Sequence, residues 1–341
     1  MFLSNIFVKK KKRYISCPWI EYGIDFDLGV YGSNLKTCCY MSAPGGGNLI
    51  LVNDYRGEKI DWKNFFKLRN SYRKLQERGK TIPQCEGCIF LHEAEWEQKN
   101  EITHIIFDHW THCNCKCTYC YTEEDKNSYN NLATYNVLPI VKDMLDKNIL
   151  KPGGAIGFGG GEPTMLEEFE ELIGLLLKNN FTNIRVPSSG IKYSPIIEQG
   201  IALNKLTVVI SIDSATKDTY KKIKQIDAFD KVCENIIKYA NAQTTVGTVV
   251  SKYIIIPGTN DTISELDKWL TFNKENNILS IAIDVENSWL GRLKEHEEEY
   301  KNIIKLIKHV KKSASEMNFI MCDVCDRAKH LIKSHKNREK A

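Results

Sequence analysis

The sequence predicts an α/β protein: a partial (β/α)6 barrel over residues 101–286, behind a small cysteine-rich α+β domain over 1–100 and ahead of a helical tail over 287–341. Three observations predict it. From Glu101 to Glu286 short apolar runs alternate with stretches of helical periodicity, the pattern of parallel strands joined by crossover helices. The twelve cysteines gather in clusters, most of them ahead of or at the start of that region. A charged segment, Leu293 to Ser315, spaces Tyr300, Ile303, Ile304, Leu306, Ile307 and Val310 so that one helical face can pack on a barrel.

Composition narrows the function classes. A chain of 341 residues can bury one large α/β domain and a smaller one, and 42% hydrophobic with 26% charged residues is an ordinary globular balance. A net charge of +4 does not by itself point to nucleic acid. No segment approaches the roughly 18–20 apolar residues of a membrane span. Met1 to Val8 is apolar and is followed by the basic run Lys9 to Arg13, the reverse of a secretory signal. The expectation is a cytoplasmic protein without a membrane partner, in which clustered cysteines read as metal ligands rather than disulfides. Lys9 to Arg13 reads as a solvated tail, and Cys233, alone in a helical pattern, as a core thiol.

In the first hundred residues Cys17-Pro18-Trp19 opens a segment of strand character, Glu21 to Val30. Cys38-Cys39 and the turn Pro44-Gly45-Gly46-Gly47 follow. Asp61 to Arg78 has helical spacing, with Trp62, Phe65, Phe66, Leu68 and Leu75 on a broad apolar face, and Gly79 is a good stop. Pro83-Gln84-Cys85-Glu86-Gly87-Cys88 comes next. This order could fold four thiolates around one centre, and a structural zinc ion would suit the same ligands.

In the barrel region strands are expected near His104 to Asp108, Ala155 to Phe158, Asn183 to Val186, Leu206 to Ile212, Thr244 to Ile256 (with a break) and Ile278 to Asp284. Helices fill the intervals: Tyr135 to Asn148, Leu166 to Asn179, Ile196 to Leu203, Asp218 to Ala242 and Ser264 to Asn276. Functional groups should lie at the C-terminal ends of the strands.

After the first of these strands comes Cys113-Asn114-Cys115-Lys116-Cys117-Thr118-Tyr119-Cys120. Cys113, Cys117 and Cys120 have the spacing C-x3-C-x2-C. Three ligands are the informative count. A four-iron cluster held by four cysteines is coordinatively closed, and one held by three leaves an iron open to a ligand. The trio Cys115, Cys117 and Cys120 would crowd two ligands, and a zinc knuckle is the alternative use of such a loop. After the second strand Gly159-Gly160-Gly161-Glu162-Pro163 lets backbone approach a ligand closely, with a carboxylate that can accept from an ammonium. Neither phosphate-binding glycine pattern is complete there.

The spacing of Cys113, Cys117 and Cys120, with Tyr119 just before the last cysteine, resembles the signature of the radical S-adenosylmethionine (SAM) enzymes. Gly160, Gly161, Glu162 and Pro163 match that family's GGEP motif at the expected distance. The resemblance implies a 4Fe–4S cluster on Cys113, Cys117 and Cys120. Its open iron is chelated by SAM, which is cleaved reductively to a 5′-deoxyadenosyl radical that abstracts hydrogen from substrate. It also implies that the glycine motif, with Glu162, binds the amino group of SAM, and that a reductant such as flavodoxin or ferredoxin supplies electrons. Pro187-Ser188-Ser189-Gly190 and Ser211-Ile212-Asp213-Ser214 are similar to family segments. By that similarity Ser189 and Ser211 are candidates for the SAM ribose or carboxylate and Asp213 for support of the site; helix capping is the other use of such residues. Family members often carry an arginine after this Asp. Here the stretch reads Tyr220-Lys221-Lys222-Ile223-Lys224, in which Lys222 or Lys224 could substitute as a point charge without the arginine fork.

Arg73-Lys74-Leu75 with Ile82 to Cys88 resembles the auxiliary-cluster module, SPASM or twitch type, of many of these enzymes, here ahead of the barrel rather than behind it. It implies a second 4Fe–4S cluster on Cys17, Cys38 or Cys39, Cys85 and Cys88, relaying an electron. A peptide or small molecule is the implied substrate, and an oxidoreductase or modifying enzyme the implied class. A non-catalytic zinc or iron–sulfur protein is the alternative. Pro257 to Asp261 resembles a family loop, Ile281 to Val285 could lie beside adenine, and Asp284 could lie near substrate. Cys322 and Cys325 could contribute to a site with Cys38, Cys39 or Cys115 or be structural, and Cys115 could be a reactive thiol near the site.

Overall fold

The computed structural model describes residues 12–29, 32–38, 49–80, 82–86, 88, 90–120, 135–286 and 297–322. Cys39, Cys325, the Pro44 to Gly47 turn, Lys9 to Lys11 and the basic end of the tail lie outside the described residues. The fold is mixed α/β with mostly parallel strand pairing, and the chain divides into two compact units. One is Met1–Trp110 with Tyr129–Gly160; the other is Thr111–Ser128 with Gly161–Ala341.

The first unit contains, in order, β1 (Lys12–Ser16), α1 (Pro18–Tyr22), β2 (Gly23–Gly29), β3 (Gly32–Lys36), β4 (Ile50–Val52), α2 (Trp62–Glu77), β5 (His92–Trp96), β6 (His104–Asp108), α3 (Leu138–Asp146) and β7 (Ile156–Phe158). β1 pairs antiparallel with β5, so Lys12 and Arg13 open a strand rather than extend a solvated tail. Their exposed side chains meet Glu77 and Glu93. The expected strand Glu21 to Val30 is preceded by the helical turn α1, because the Cys17 sulfur accepts from the Ile20 N–H at 3.5 Å and Pro18 supplies a preset φ at the first helical position. β2 pairs antiparallel with β3 and β3 with β4; on its other edge β2 pairs parallel with β6, and β6 with β7.

Alternation gives this sheet two unlike faces. Ile24, Phe26, Ile105, Phe107, Ile156 and Phe158 are buried on one, with Phe107 ring centroids 5.7 Å from Phe26 and 5.1 Å from Phe158. The other face carries Asp25, Asp27, Lys36 and Asp108, placed there by register. Helix α2 starts at Asp61, whose carboxylate accepts from the Asn64 N–H at 3.1 Å. It buries two arginines. Arg73 pairs with buried Glu21 at 3.1 Å, and Glu21 also accepts from Tyr14 and Ser16 hydroxyls at 3.0 and 2.7 Å. Arg69 donates to the carbonyls of Lys99 and Glu101 at 3.1 and 2.8 Å, its guanidinium 4.8 Å from the Phe66 ring. Buried pairs of this kind hold a register because breaking one leaves a charge without water.

The second unit contains α4 (Phe169–Lys178), β8 (Ile184–Ser188), α5 (Pro195–Ala202), β9 (Leu206–Ser211), α6 (Lys217–Lys224), α7 (Phe229–Asn241), β10 (Val249–Ile255), α8 (Ile263–Glu275), β11 (Ser280–Val285), α9 (Glu297–Glu316) and β12 (Ile320–Met321). Strands β8 to β12 pair in sequence order, all parallel. Every residue of β11 is buried, as expected of a parallel strand covered on both faces. The single helix expected from Asp218 to Ala242 is two, because Gln225 takes a left-handed conformation (φ +56°) that ends α6. β10 begins at Val249 rather than Thr244, after Gly247 turns the chain at φ +114°. β12 extends the sheet at a run too short to read as a strand. No described helix is long and apolar enough to cross a membrane.

Candidate functional site

The cysteine loop belongs to the second unit and is fastened to the end of α6. The Lys116 N–H donates to the Lys224 carbonyl at 3.1 Å, the Thr118 N–H to the Ile223 carbonyl at 2.9 Å, and the Cys120 N–H to the Cys117 carbonyl at 3.1 Å. Cys113, Cys117 and Cys120 are partly exposed, whereas Cys115 is buried. The Cys115 N–H points at the Cys113 sulfur at 3.5 Å. The buried Cys115 thiol also hydrogen-bonds to Cys113 and Cys117, and this holds both of those thiols below the ordinary cysteine value against the opposing effect of burial. Cys117, with the Lys224 ammonium nearby as well, is pushed down to about 6. Thiols drawn toward thiolate are the form that ligates metal. The structure thus separates the four sulfurs by chemistry: three accessible, and one, Cys115, committed to its neighbours.

Tyr119 leads away from the sulfurs. Its hydroxyl donates to the Asp213 carboxylate, and Lys224 donates to the Tyr119 oxygen at 2.8 Å and to Asp213. Asp213 and Lys224 are both buried. Burial pulls the Lys224 ammonium down, but the Asp213 carboxylate and the Cys117 thiol outweigh it and hold the group above the ordinary lysine value. Asp213 sits at φ +53°, just past β9, with its other oxygen accepting from the Ile254 N–H at 2.7 Å. Asn260, in the loop after β10, donates to the carbonyls of Asp213 and Ile254, each at 2.8 Å. Lys224, expected as a point charge facing a ligand, is instead the counter-ion of Asp213.

Glu162 is buried with its carboxylate held on three sides. One oxygen accepts from the hydroxyls of Ser188 and Thr164 at 2.8 and 2.7 Å, and the other from the Ser189 N–H at 2.6 Å. The second oxygen retains capacity for a further donor. The Glu162 N–H donates to the His112 carbonyl at 2.9 Å, and the Ser189 hydroxyl to the Asn114 side chain at 3.0 Å, so both motifs are tied to the cysteine loop. Pro163 opens a buried 3-10 turn, Pro163–Met165, capped by Glu162. At Gly161 a Cβ would lie 2.2 Å from the His112 carbonyl oxygen. In the first unit Gly160, at φ +69°, would place a Cβ 2.1 Å from the Trp110 carbonyl oxygen. Ser211 is the last residue of β9, half-buried. Sequence reading singled out Glu162, Ser189 and Asp213 but missed Ser188, Thr164, Asn114 and Asn260. Each is a polar residue in a loop or at a strand end, without spacing of its own.

In the first unit Cys17, Cys38, Cys85 and Cys88 are neighbours. Burial first, then the adjacent thiols, pushes Cys17 and Cys85 each up to about 12: Cys85 and Cys88 act on Cys17, and Cys88 and Cys38 on Cys85. Cys17 packs with Ile20, Leu49 and Ile82, with Cys85 against that cluster. Cys322 lies on the second unit's sheet against Val209, Val250 and Ala282. Asp284 is buried on β11, with Lys252 at 3.9 Å. Among the described residues no three His, Cys, Asp or Glu side chains converge as ligands of a single metal ion. The donor set of the loop, three accessible sulfurs, suits a cluster rather than a tetrahedral ion with four ligands.

Residues 108–270 match the model of the Radical SAM superfamily. The chain is 23% identical over 217 residues to a probable GTP 3',8-cyclase of Saccharolobus islandicus, covering 61% of this chain and 68% of the relative. A probable GTP 3',8-cyclase of Sulfurisphaera tokodaii is 25% identical over 201 residues, 58% of this chain and 60% of the relative. Among solved structures, Streptococcus suis SuiB bound to precursor peptide SuiA has the same general fold, with a TM-score of 0.50 and 13% identity over 95% of this chain and 75% of SuiB. The family match and the curated relatives make the protein an enzyme rather than a non-catalytic metal protein.

Proposed function

We propose that this protein, whose residues 108–270 carry a Radical SAM superfamily domain, cleaves SAM reductively and abstracts hydrogen from a peptide or small-molecule substrate. Cys113, Cys117 and Cys120 would hold a 4Fe–4S cluster, which when bound supplies the electron for cleavage and an open iron for SAM. The observation that carries this reading is the fastening of three accessible thiols and a buried carboxylate to one another. Glu162 reaches the cysteine loop through its own N–H to His112 and, through Ser189, to Asn114.

Each residue then has a task. The free capacity of the Glu162 carboxylate accepts from the amino group of SAM, with Ser188, Thr164 and Ser189 fixing its plane. Gly161 gives the backbone a close approach to the His112 carbonyl, and Pro163 opens the turn that Glu162 caps. Ser189 and Ser211 line the polar side of the ligand. Asp213, Tyr119 and Lys224 are positioning residues that brace the loop from beneath. Cys115 is also a positioning residue: its thiol favours the ligating form of Cys113 and Cys117.

Cys17, Cys85 and Cys88 with Cys38 or Cys39 would hold a second 4Fe–4S cluster, closed by four thiolates and suited to electron relay. Such a group would contribute folding free energy to a small module. A flavodoxin or ferredoxin in the cytoplasm would supply the reductant.

The test is anaerobic reconstitution followed by iron and sulfide analysis and SAM cleavage under strong reductant. About eight irons per chain are expected, with 5′-deoxyadenosine formed and lost in Cys117→Ala. About four irons with cleavage intact would remove the second cluster and keep the enzyme. Zinc in place of iron, with no cleavage, would overturn the reading.

A further inference from the structure

The face of the first unit's sheet opposite its aromatic core carries polar groups whose pairing is incomplete among the described residues. Asp25 and Asp27 project from the same side of β2. Register puts Lys36 of β3 opposite Asp25, and Asp108 of β6 opposite Asp27. Lys36 is committed to Asp27 at 2.7 Å, both side chains being almost wholly buried. Asp25 is completely buried, and neither of its carboxylate oxygens has a hydrogen-bond partner. Asp108 is half-buried at the end of β6.

Among the described residues this face therefore has three carboxyl groups and one cation, and that cation is paired with Asp27. A buried carboxyl with both oxygens unpaired forfeits the desolvation free energy of each, which native interiors rarely tolerate. What would satisfy it is a group with donors only and a positive charge. An alkylammonium has three donors and no acceptor. It could hydrogen-bond both of the carboxyl groups that Lys36 does not pair with. A metal ion does not suit, since no three carboxylates converge on one point among the described residues. A neutral hydroxyl would bring a single donor and could satisfy only one of the two.

We propose that Asp25 and Asp108, with the Asp27–Lys36 pair beside them, form a recognition site for a primary ammonium group of the substrate. This rests on the reading of the protein as an enzyme acting on a peptide or small molecule and adds the chemistry of one substrate group. Asp108, the partly exposed member of the group, and the buried Asp25 would both accept from the ammonium. The Lys36 charge keeps Asp27 from competing.

Binding can be measured on the full reconstituted chain without SAM, so its outcome is independent of SAM cleavage. Three probes are titrated by calorimetry: Nα-acetyl-lysine N-methylamide, with a side-chain ammonium; norleucine N-methylamide, with an α-ammonium; and Nα-acetyl-norleucine N-methylamide, with neither. At least one amine is expected to bind tenfold or more tighter than the neutral probe, and which one distinguishes a side-chain from a terminal amine. Asp25→Asn and Asp108→Asn, each checked for native circular dichroism, should weaken that amine at least tenfold. Asp108→Asn alters a partly exposed position and serves if Asp25→Asn does not fold. Equal binding of the neutral probe, absence of binding by either amine, or wild-type amine binding in folded Asp108→Asn would each overturn the proposal.

Discussion

The Tyr119 hydroxyl donates to the Asp213 carboxylate across 94 residues of chain, and Lys224 closes the triangle by donating to both. The aromatic residue beside the last ligating cysteine is therefore a strut: it ties the cysteine loop to the end of β9 through a buried ion pair. Tyr119→Phe should keep the ring against the Lys224 ammonium, 5.2 Å from its centroid, and lose both hydrogen bonds of the hydroxyl, the one donated to Asp213 and the one accepted from Lys224, while the Lys224–Asp213 pair itself stays. The expected cost is about 1.5–3 kcal/mol in denaturant unfolding. Asp213→Ala leaves Lys224 buried without its counter-ion and should cost more, about 3–5 kcal/mol, with poorer iron retention.

Glu162→Gln is nearly isosteric but turns one acceptor oxygen into an NH2 group facing the Ser189 N–H. Two donors then confront each other at the place proposed for the SAM amino group. SAM affinity should fall about tenfold or more, some 1.4 kcal/mol, in equilibrium binding to the reconstituted protein. Unchanged affinity would remove Glu162 from the ligand site.

The four cysteines of the loop should separate on substitution by serine. Cys113→Ser, Cys117→Ser and Cys120→Ser should each lose the loop's iron. Cys115→Ser should keep the iron, since Cys115 is buried and hydrogen-bonds its neighbours without being one of the accessible sulfurs. Loss of iron in Cys115→Ser, with iron retained in Cys113→Ser, would exchange their assignments.

Burial, followed by the Asp27 carboxylate, pushes the Asp108 carboxyl up to about 7, with Lys36 acting the other way. An unfolded aspartate titrates near 3.9, about three units lower. Between those values the folded chain holds a proton that the unfolded chain has released, so stability falls as pH rises from about 4 to about 7 and is level above. Asp108→Asn should flatten this part of the profile, with its largest gain in melting temperature at pH 8 and little change at pH 4. A parallel offset at all pH values would assign the effect to packing instead.

Gly160→Ala asks for a left-handed alanine with its Cβ 2.1 Å from the Trp110 carbonyl oxygen. The backbone must move, and soluble yield and SAM binding should both fall. Gly153→Ala, at φ +104° with nothing near its Cβ, separates conformational strain from collision.

Local chemistry was legible in the chain itself. All six strands expected between residues 101 and 286 are present, because each is a short, largely apolar run between turn residues, and β11, buried at every position, is a continuous one. The thiol spacing of the cysteine loop, the glycines before Glu162 and the thiol order of the first hundred residues are likewise properties of short segments. Helix ends were less legible: one Gln225 in a left-handed conformation divides a stretch that reads as a single helix.

Pairing was decided only by the tertiary structure. Nothing in the sequence says that Lys224 belongs to Asp213, that Cys115 stays behind its neighbours, or that β2 lies parallel to β6 and brings Asp25, Asp27 and Asp108 to one face. The reason is physical. Period and spacing are set by the backbone of one segment. The partner of a buried charge is chosen by strand register and by the cost of leaving that charge without water, and both arise only when distant segments have packed.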